Sequence, residues 1–422
     1  MTAELIASQE GTRPRAFSIG RTGPVLAVLC LMYLVLYIDR SNIATVAPRM
    51  SKDLHLSNAQ FGLAVSAFAY PYALFQLVGG WLGDRFGARR TLVVCGLVVC
   101  VATVLTGFVG GLASLIAARL ALGFGEGAAF PTATRAMAIW TPPARWGFAQ
   151  GITHSASRLG NAVAPPLVVA LMAYGSWRGA FVALGLLSLV WVVLWILAAR
   201  RPPERLGGAP PVEASLSGRE WMRLFRRMAP VTAVDFCYGW TLWVFLTWLP
   251  SFFFKSFHLD LAHSALFSGG VLLAGVVGDT VGGVLSDLIY RRTGSLIAAR
   301  RNLIIAGLIG GFVFLIPVAL TRDLTTVAVC LSLACFFVEW VVAPIWTTPM
   351  DIAPRHAGAA SGMMNFGFGL AGIVSPVVFG ALLDFTHGWT APFLGSVALL
   401  LVGAGLSLLM RPDRRFEADA AS

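Results

Sequence analysis

The sequence predicts an all-α membrane protein with twelve transmembrane helices in two six-helix repeats around a central cavity. Three observations predict it. The chain is 57% hydrophobic and only 12% charged, about half the charged share of a soluble domain. Apolar runs of roughly 20 residues, each enough to cross a bilayer's hydrocarbon core, recur between short charged or Gly/Pro-rich breaks. The two halves of the chain also repeat one another.

Taken in order, segment 1–23 is a polar cytoplasmic tail with Arg13, Arg15 and Arg21. It lacks the apolar centre and small-residue cleavage site of a signal peptide, so the first span is expected to be retained as its own insertion signal. Spans near 24–47, 58–83, 91–110, 113–138, 147–173 and 177–199 form an N-terminal bundle, 24–199. Segment 200–228 starts Pro/Gly-rich and becomes basic and amphipathic around Trp221 to Arg227. It reads as a cytoplasmic linker followed by a helix on the membrane surface. Spans near 229–254, 264–289, 302–320, 324–348, 359–383 and 389–410 form a C-terminal bundle, 229–410, and 411–422 is a second tail.

Charge sets the expected orientation. One set of loops holds Arg85, Arg89, Arg90, Arg145, the linker arginines, Arg291, Arg292, Arg300, Arg301, Arg355, Arg411, Arg414 and Arg415. The opposite set holds only Arg49, Lys52, Arg178, Lys255 and Arg322. Positive loops stay inside, which predicts both termini in the cytoplasm of a multi-pass protein of a bacterial inner membrane. The net charge of +11 is then topology and contact with anionic lipid, not a nucleic-acid surface. Cys30, Cys95, Cys100, Cys237, Cys330 and Cys335 lie in apolar spans without metal-ligand spacing. No metal, cofactor or P-loop is expected, so ATP is not the energy source. No catalytic cluster or extramembrane domain suggests an enzyme or a receptor, and a monomer is expected.

The repeat is legible at two places. Gly80-Trp-Leu-Gly-Asp84-Arg85-Phe-Gly87-Ala-Arg89-Arg90 closes the second span, and Gly283-Val-Leu-Ser-Asp287-Leu-Ile-Tyr-Arg-Arg292 closes the eighth. Gly151 precedes Pro165 by the interval that separates Gly362 from Pro376. Parallel repeats of this kind place a substrate site near the bilayer midplane, between the two halves.

The Gly80–Arg90 loop resembles the G-x-L-x-D-R-x-G-R-R loop of the major facilitator superfamily. Tyr37-Ile-Asp39-Arg40, Arg119-Leu-Ala-Leu-Gly-Phe-Gly-Glu126-Gly-Ala-Ala-Phe-Pro131 and Phe245-Leu-Thr-Trp-Leu-Pro250 resemble its anion:cation symporter family. That family includes bacterial galactonate, hexuronate, glucarate, tartrate and phthalate transporters, sialin and the vesicular glutamate transporters. The resemblance covers nearly the whole chain. It implies alternating-access import of a small organic anion with protons, first of all a sugar acid (aldonate, hexuronate or aldarate). The alternatives are a tartrate-like dicarboxylate, a phthalate-like aromatic carboxylate, or a drug/proton exporter. The exporter is disfavoured because the fifth span reads Gly160-Asn-Ala-Val-Ala-Pro-Pro166, not a G-P-x-x-G-G-like antiporter motif.

The candidate site residues are charges where charge is expensive. An ionised side chain at the centre of a membrane helix costs roughly 2.5–3.5 kcal/mol on insertion scales. Asp39 and Arg119 sit at similar depth on antiparallel spans and are expected to pair. Glu126 lies two helical turns from Arg119 on the same face. The resemblance supports proton coupling by Asp39 and Glu126, with Arg119 as partner; a static ion-pair network is the other reading. Arg40 points roughly 100° from Asp39. It either clamps a substrate carboxylate with its guanidinium fork or closes an ion pair with Glu126.

Arg158 departs from the neutral cluster more usual in sugar-acid members. It either binds a second carboxylate or neutralises Asp39 or Glu126. Three arginines against two carboxylates leave one positive charge for an anion. Tyr37, Tyr72, Ser157 and Asn161, with Trp243 and Asn365 from the second half, complete the candidate substrate contacts. Tyr238 and Trp240 are further candidates for its walls. Asp235, Asp279 and Glu339 are buried acids with no assigned partner. Gly80, Asp84, Arg85, Gly87, Arg89, Arg90 and Asp287 are expected to gate, through an interdomain charge cluster that holds the cytoplasmic end shut.

Overall fold

A computed structural model describes residues 22–173, 175–200 and 216–416. The expected tails at 1–21 and 417–422 and most of the linker lie outside the described residues. Among the described residues, twelve helices are long and apolar enough to cross a membrane: α1 (Gly23–Ala47), α2 (Gln60–Phe86), α3 (Ala88–Thr106), α4 (Leu112–Trp140), α5 (Pro143–Ala173), α6 (Trp177–Ala198), α7 (Gly218–Phe257), α8 (Leu266–Thr293), α9 (Ile297–Leu320), α10 (Leu324–Ile352), α11 (Pro354–Thr386) and α12 (Thr390–Ser407). No strand occurs among the described residues.

Two of these helices break where proline dictates. Pro71 has no N–H to give the carbonyl of Ala67, and α2 is interrupted at Phe68, whose N–H reaches Val65 instead of residue 64. Pro344 likewise cannot serve Trp340, and α10 breaks at Val341, bonded to Val338. Loss of an i→i−4 bond at proline is the physical cause of both. Between α2 and α3 the chain turns at Gly87, φ +83°, a conformation that glycine adopts without a Cβ clash.

The predicted repeat is realised in packing. In the first half α1 packs on α5 and α6, α2 on α4, and α3 on α4 and α6. In the second, α7 packs on α11 and α12, α8 on α10, and α9 on α10 and α12. Adding six to each helix number of the first set generates the second. The two lobes meet through α2 against α11 and α5 against α8, which the same operation exchanges.

Glycines permit that close approach. A Cβ at Gly147 would stand 2.8 Å from the Gly283 carbonyl, and one at Gly151 would stand 2.6 Å from that of Asp279. On the other side, Gly80 lies directly against the backbone of Gly358 and Ala359. All these contacts fall in the half of the bundle that contains Asp84 and Asp287.

The basic stretch around Trp221–Arg227 differs from the expected separate surface helix. It forms the opening turns of α7, continuous over Gly218–Phe257, about 60 Å at 1.5 Å per residue. Ser217 and Glu220 start it with a reciprocal cap: the Glu220 N–H donates to Ser217 Oγ (3.3 Å) and the Ser217 N–H to Glu220 Oε2 (2.7 Å). Pro230, three residues after Arg227, lies inside the helix without interrupting it. Arg227 also donates to the carbonyls of Arg411 and Arg414, so this end of α7 docks on the chain after α12.

Candidate functional site

Charged side chains from five helices converge between the lobes, in two clusters. In the first, Arg40 of α1 donates to Glu126 of α4 through Nε (3.1 Å) and a terminal nitrogen (2.7 Å), both to Oε2. Four aromatic rings box its guanidinium: Tyr72 at 4.5 Å, Tyr37 at 4.6 Å, Phe68 at 5.2 Å and Phe130 at 5.6 Å. Glu126 is sealed, while the Arg40 side chain keeps 11% exposure. Its guanidinium also interacts with the Tyr72 hydroxyl. Of the two readings of Arg40, the ion pair with Glu126 is the one present in this conformation.

Asp39 turns elsewhere. Its Oδ2 accepts from Ser188 of α6 at 2.7 Å, and no ion pair joins it to Arg119 among the described residues. The expected pairing assumed that equal depth meant contact, but α1 packs chiefly on α5 and α6 rather than on α4. Arg119 lies instead against the Phe68 ring at 4.9 Å, its Nε without a hydrogen-bond partner.

The second cluster bridges the lobes. Arg158 of α5 donates to Glu339 Oε2 of α10 at 2.9 Å and to the Tyr238 hydroxyl of α7 at 3.1 Å. Its other terminal nitrogen reaches Tyr37 Oη at 3.4 Å, and its Nε stands 3.8 Å from Asp279 Oδ2 of α8. Tyr238 itself donates to Glu339 Oε2 at 3.1 Å. The charge balance drawn from the sequence is thereby corrected. Arg158 meets neither Asp39 nor Glu126 but Glu339 and Asp279, so three arginines face four carboxylates. Those two acids come from the opposite lobe, and only docking of the lobes brings them in.

Arg158 lines two cavities. A cleft of about 500 Å³ runs between α5, α7 and α8 past Asn161, Pro165, Leu246, Pro250 and Leu266. It opens away from the Asp84 end. On the other side of Arg158 lies a small chamber of about 20 Å³, walled by Tyr37, Tyr72, Phe130, His154, Tyr238, Trp346, Asn365 and Phe368. Of the sequence-predicted contacts, Tyr37, Tyr72, Arg158 and Asn365 therefore share one chamber. Asn161 lines the cleft and accepts a hydrogen bond from Ser41. Ser157 bonds its own helix at the His154 carbonyl (2.6 Å), and Trp243 donates to the Phe368 carbonyl (3.2 Å); neither lines these cavities. Trp240 bonds Ser396 at 3.2 Å, within its lobe.

Sequence reasoning missed His154, Trp346 and the Glu339–Asp279 pair as parts of the site. The signal for the acids was present, since two carboxylates at mid-span demand partners. Asp235 is likewise fully buried on α7, and neither carboxylate oxygen has a hydrogen-bond partner.

The far end of the chamber is closed by two related caps. Asp84 of α2 accepts the N–H groups of Gly358 (3.1 Å) and Ala359 (2.7 Å) at the start of α11. Asp287 of α8 accepts those of Gly147 (2.9 Å) and Phe148 (2.7 Å) in the first turns of α5. Helix N-termini carry unpaired N–H groups and a partial positive charge, so a carboxylate is the fitting cap. Arg135 stands 3.4 Å from Asp84 and Arg300 stands 3.8 Å from Asp287. Arg300 also donates to Asp351 at 2.8 Å. Arg85 stacks on Trp81 and Phe86, and Arg89 donates to the Ile196 carbonyl. Those two contacts stay within the first lobe and Arg90 is exposed. At this end Arg135 reaches across the lobes, donating to the Pro354 carbonyl at 2.7 Å, while Arg300 serves Asp351 and Ser286 of its own lobe.

Comparison with known proteins agrees with this architecture. The chain is 49% identical over 401 residues to "Probable sulfoacetate transporter SauU" of Cupriavidus necator, covering 92% of this chain and 93% of that one. It is 29% identical over 380 residues to "Hexuronate transporter" of Bacillus subtilis, covering 88% and 90%. The structure of the proton:xylose symporter XylE superposes with a TM-score of 0.75 over 95% of this chain and 99% of that one, at 15% identity. Residues 29–376 match the model of the Major Facilitator Superfamily. The chain belongs to the Major Facilitator Superfamily, a family of transporters and not of enzymes.

Proposed function

We propose that the chain moves a small organic acid across the bacterial inner membrane together with protons, Arg40 and Arg158 receiving its anionic groups. The observation that carries this reading is a pair of arginines sharing the Tyr37 ring between the lobes, with Arg40 at 4.6 Å and Arg158 at 5.6 Å from its centre. Arg40 sits in an aromatic box and Arg158 reaches both the chamber and the cleft. The end with Asp84 and Asp287 is cytoplasmic because Lys and Arg crowd that side. The cleft then faces outward, and cargo enters with the cytoplasmic end shut.

The favoured cargo is a short dianion carrying a carboxylate and a sulfonate, as in sulfoacetate. Two arginines that share the Tyr37 ring suit two anionic groups of one short cargo, and the relative 49% identical is a probable sulfoacetate transporter. A sugar acid is the second reading, favoured by the hexuronate transporter at 29%. Cargo arriving at Arg40 competes with Glu126 for the same guanidinium. Released from its counter-charge in a dry site, Glu126 takes up a proton, and the reverse exchange follows on the cytoplasmic side. Asp39 is the second proton site, held by Ser188. Each added proton contributes about 2.3 kcal/mol per 100 mV of membrane potential.

Uptake of radiolabelled sulfoacetate and D-galactonate into cells expressing the chain tests the reading. Accumulation of at least one, abolished by a protonophore, is the expected result. Accumulation of neither, or uptake indifferent to the protonophore, overturns it.

A further inference from the structure

Glu339 and Asp279 lie in the second lobe, outside the Arg40–Glu126 pair, with a pattern of partners that needs explaining. One guanidinium serves two carboxylates. Glu339 Oε1 and both oxygens of Asp279 have no hydrogen-bond partner, although both side chains are sealed to 1% exposure or less. A buried anion with neither a donor nor its own counter-ion is strongly unfavourable. The ionisable groups facing the pair are Arg158 and His154 from α5, Tyr37 from α1, Tyr238 from α7 and Cys335 from α10. Of these only Arg158 is a fixed cation. Gly275, one turn from Asp279, admits Glu339 beside α8: a Cβ there would stand 2.8 Å from Glu339 Cγ. The two acids are therefore held close by the backbone.

We infer that Glu339 and Asp279 form a further proton-binding site, in the second lobe, coupled to cargo through competition for Arg158. The inference rests on the reading that an organic acid occupies the chamber. In the conformation described, Asp279 holds a proton and Glu339 is the anion, so that with Arg158 the cluster is neutral. The Arg158 side chain is only 4% exposed and both its terminal nitrogens already donate, to Tyr37, Tyr238 and Glu339, so an anionic group engages the guanidinium by displacing Glu339. The displaced carboxylate accepts a proton from hydronium of the outer medium, relayed through water in the cleft, so an O–H bond forms at Glu339 as one breaks in hydronium and neutral water is left behind. The cargo anion then neutralises Arg158. When cargo leaves, Glu339 returns its proton and closes on Arg158 again. A second anionic group on the cargo thus brings its own proton, and the Arg158–Glu339 bridge between lobes opens only while that group is bound.

Two measurements on the purified full chain test this. Without cargo, in an Asp235→Asn background that removes the other partnerless buried acid, the infrared carbonyl stretch of a buried protonated carboxyl should be present and disappear in Asp279→Asn. Absence of the band, or its survival in Asp279→Asn, overturns the resting proton. With sulfoacetate as probe, affinity is measured against pH. One coupled proton steepens the dependence by about tenfold per pH unit across the titrating range. Glu339→Gln should remove one such increment, and Glu339→Asp should retain it, which separates a proton site from a packing role. An unchanged pH slope in Glu339→Gln overturns the inference. If sulfoacetate and D-galactonate both fail to bind the wild-type chain, the cargo assignment fails and the competition for Arg158 with it, while the infrared arm still decides the proton on Asp279.

Discussion

Replacing Asp84 by Asn should shift the transporter towards the state open at the cytoplasmic end. Asp84 accepts two backbone N–H groups of α11, at 3.1 and 2.7 Å, with Arg135 at 3.4 Å. Asparagine offers one acceptor oxygen and turns an amide NH₂ towards the other N–H. The variant loses one charge-assisted hydrogen bond, about 1.5–3 kcal/mol, together with its charge at a helix N-terminus. At 1.4 kcal/mol per factor of ten, the open population should rise by about 10- to 100-fold. Asp287 caps α5 in the same way and shares no partner with Asp84. The double variant should therefore shift by about the product of the two effects. The assay is thiol accessibility: Met350, against Gln150 at the lobe interface (3.5 Å), is replaced by Cys in a cysteine-free background. It is then labelled with an impermeant reagent from each side. Faster labelling from the cytoplasmic side in Asp84→Asn is expected. Equal labelling in variant and parent, from both sides, would refute the argument that the caps hold this end shut.

Glu126→Gln should preserve exchange of preloaded cargo while abolishing uphill accumulation in a proton gradient; full accumulation would remove Glu126 from the coupling role. Arg40→Lys keeps the cation but loses the fork that meets Glu126 and cargo. The half-saturating cargo concentration should rise by about 10-fold or more, the worth of one charge-assisted bond, and unchanged uptake kinetics would count against the clamp. Gly80→Leu places a side chain against the Gly358 carbonyl. Overpacking of about 1–3 kcal/mol should open the cytoplasmic end and raise labelling of the Met350→Cys probe. Ser188→Ala strips Asp39 of its described hydrogen bond. Leaving a buried acceptor unsatisfied, at about 1–3 kcal/mol, should lower the melting temperature measurably, whereas an unchanged value would mean that Asp39 has another partner.

The helices themselves were readable because the bilayer imposes length and apolarity on each span independently of its neighbours. The repeat was readable because Asp84 and Asp287 sit in matching Gly-x-x-x-Asp frames. The same charge rules picked out Asp39, Arg40, Arg119, Glu126 and Arg158, since each is conspicuous in an apolar run. Their pairing was less accessible. Depth along a helix can be counted in residues, but the direction a side chain faces depends on which helix stands beside it. Hence Asp39 met Ser188 on α6 and not Arg119 on α4.

By itself the sequence determined the spans, the sidedness of charge, the internal repeat and the list of buried ionisable groups, because local composition and period suffice for each. Tertiary structure decided which charges share a counter-ion. Arg158 comes from one lobe and Asp279 and Glu339 from the other, each more than a hundred residues away from it, and no local pattern carries that information. It also decided that Asp84 and Asp287 close one end by capping helices of the opposite lobe. A cap exists only once a helix terminus is brought to within hydrogen-bond reach of the carboxylate.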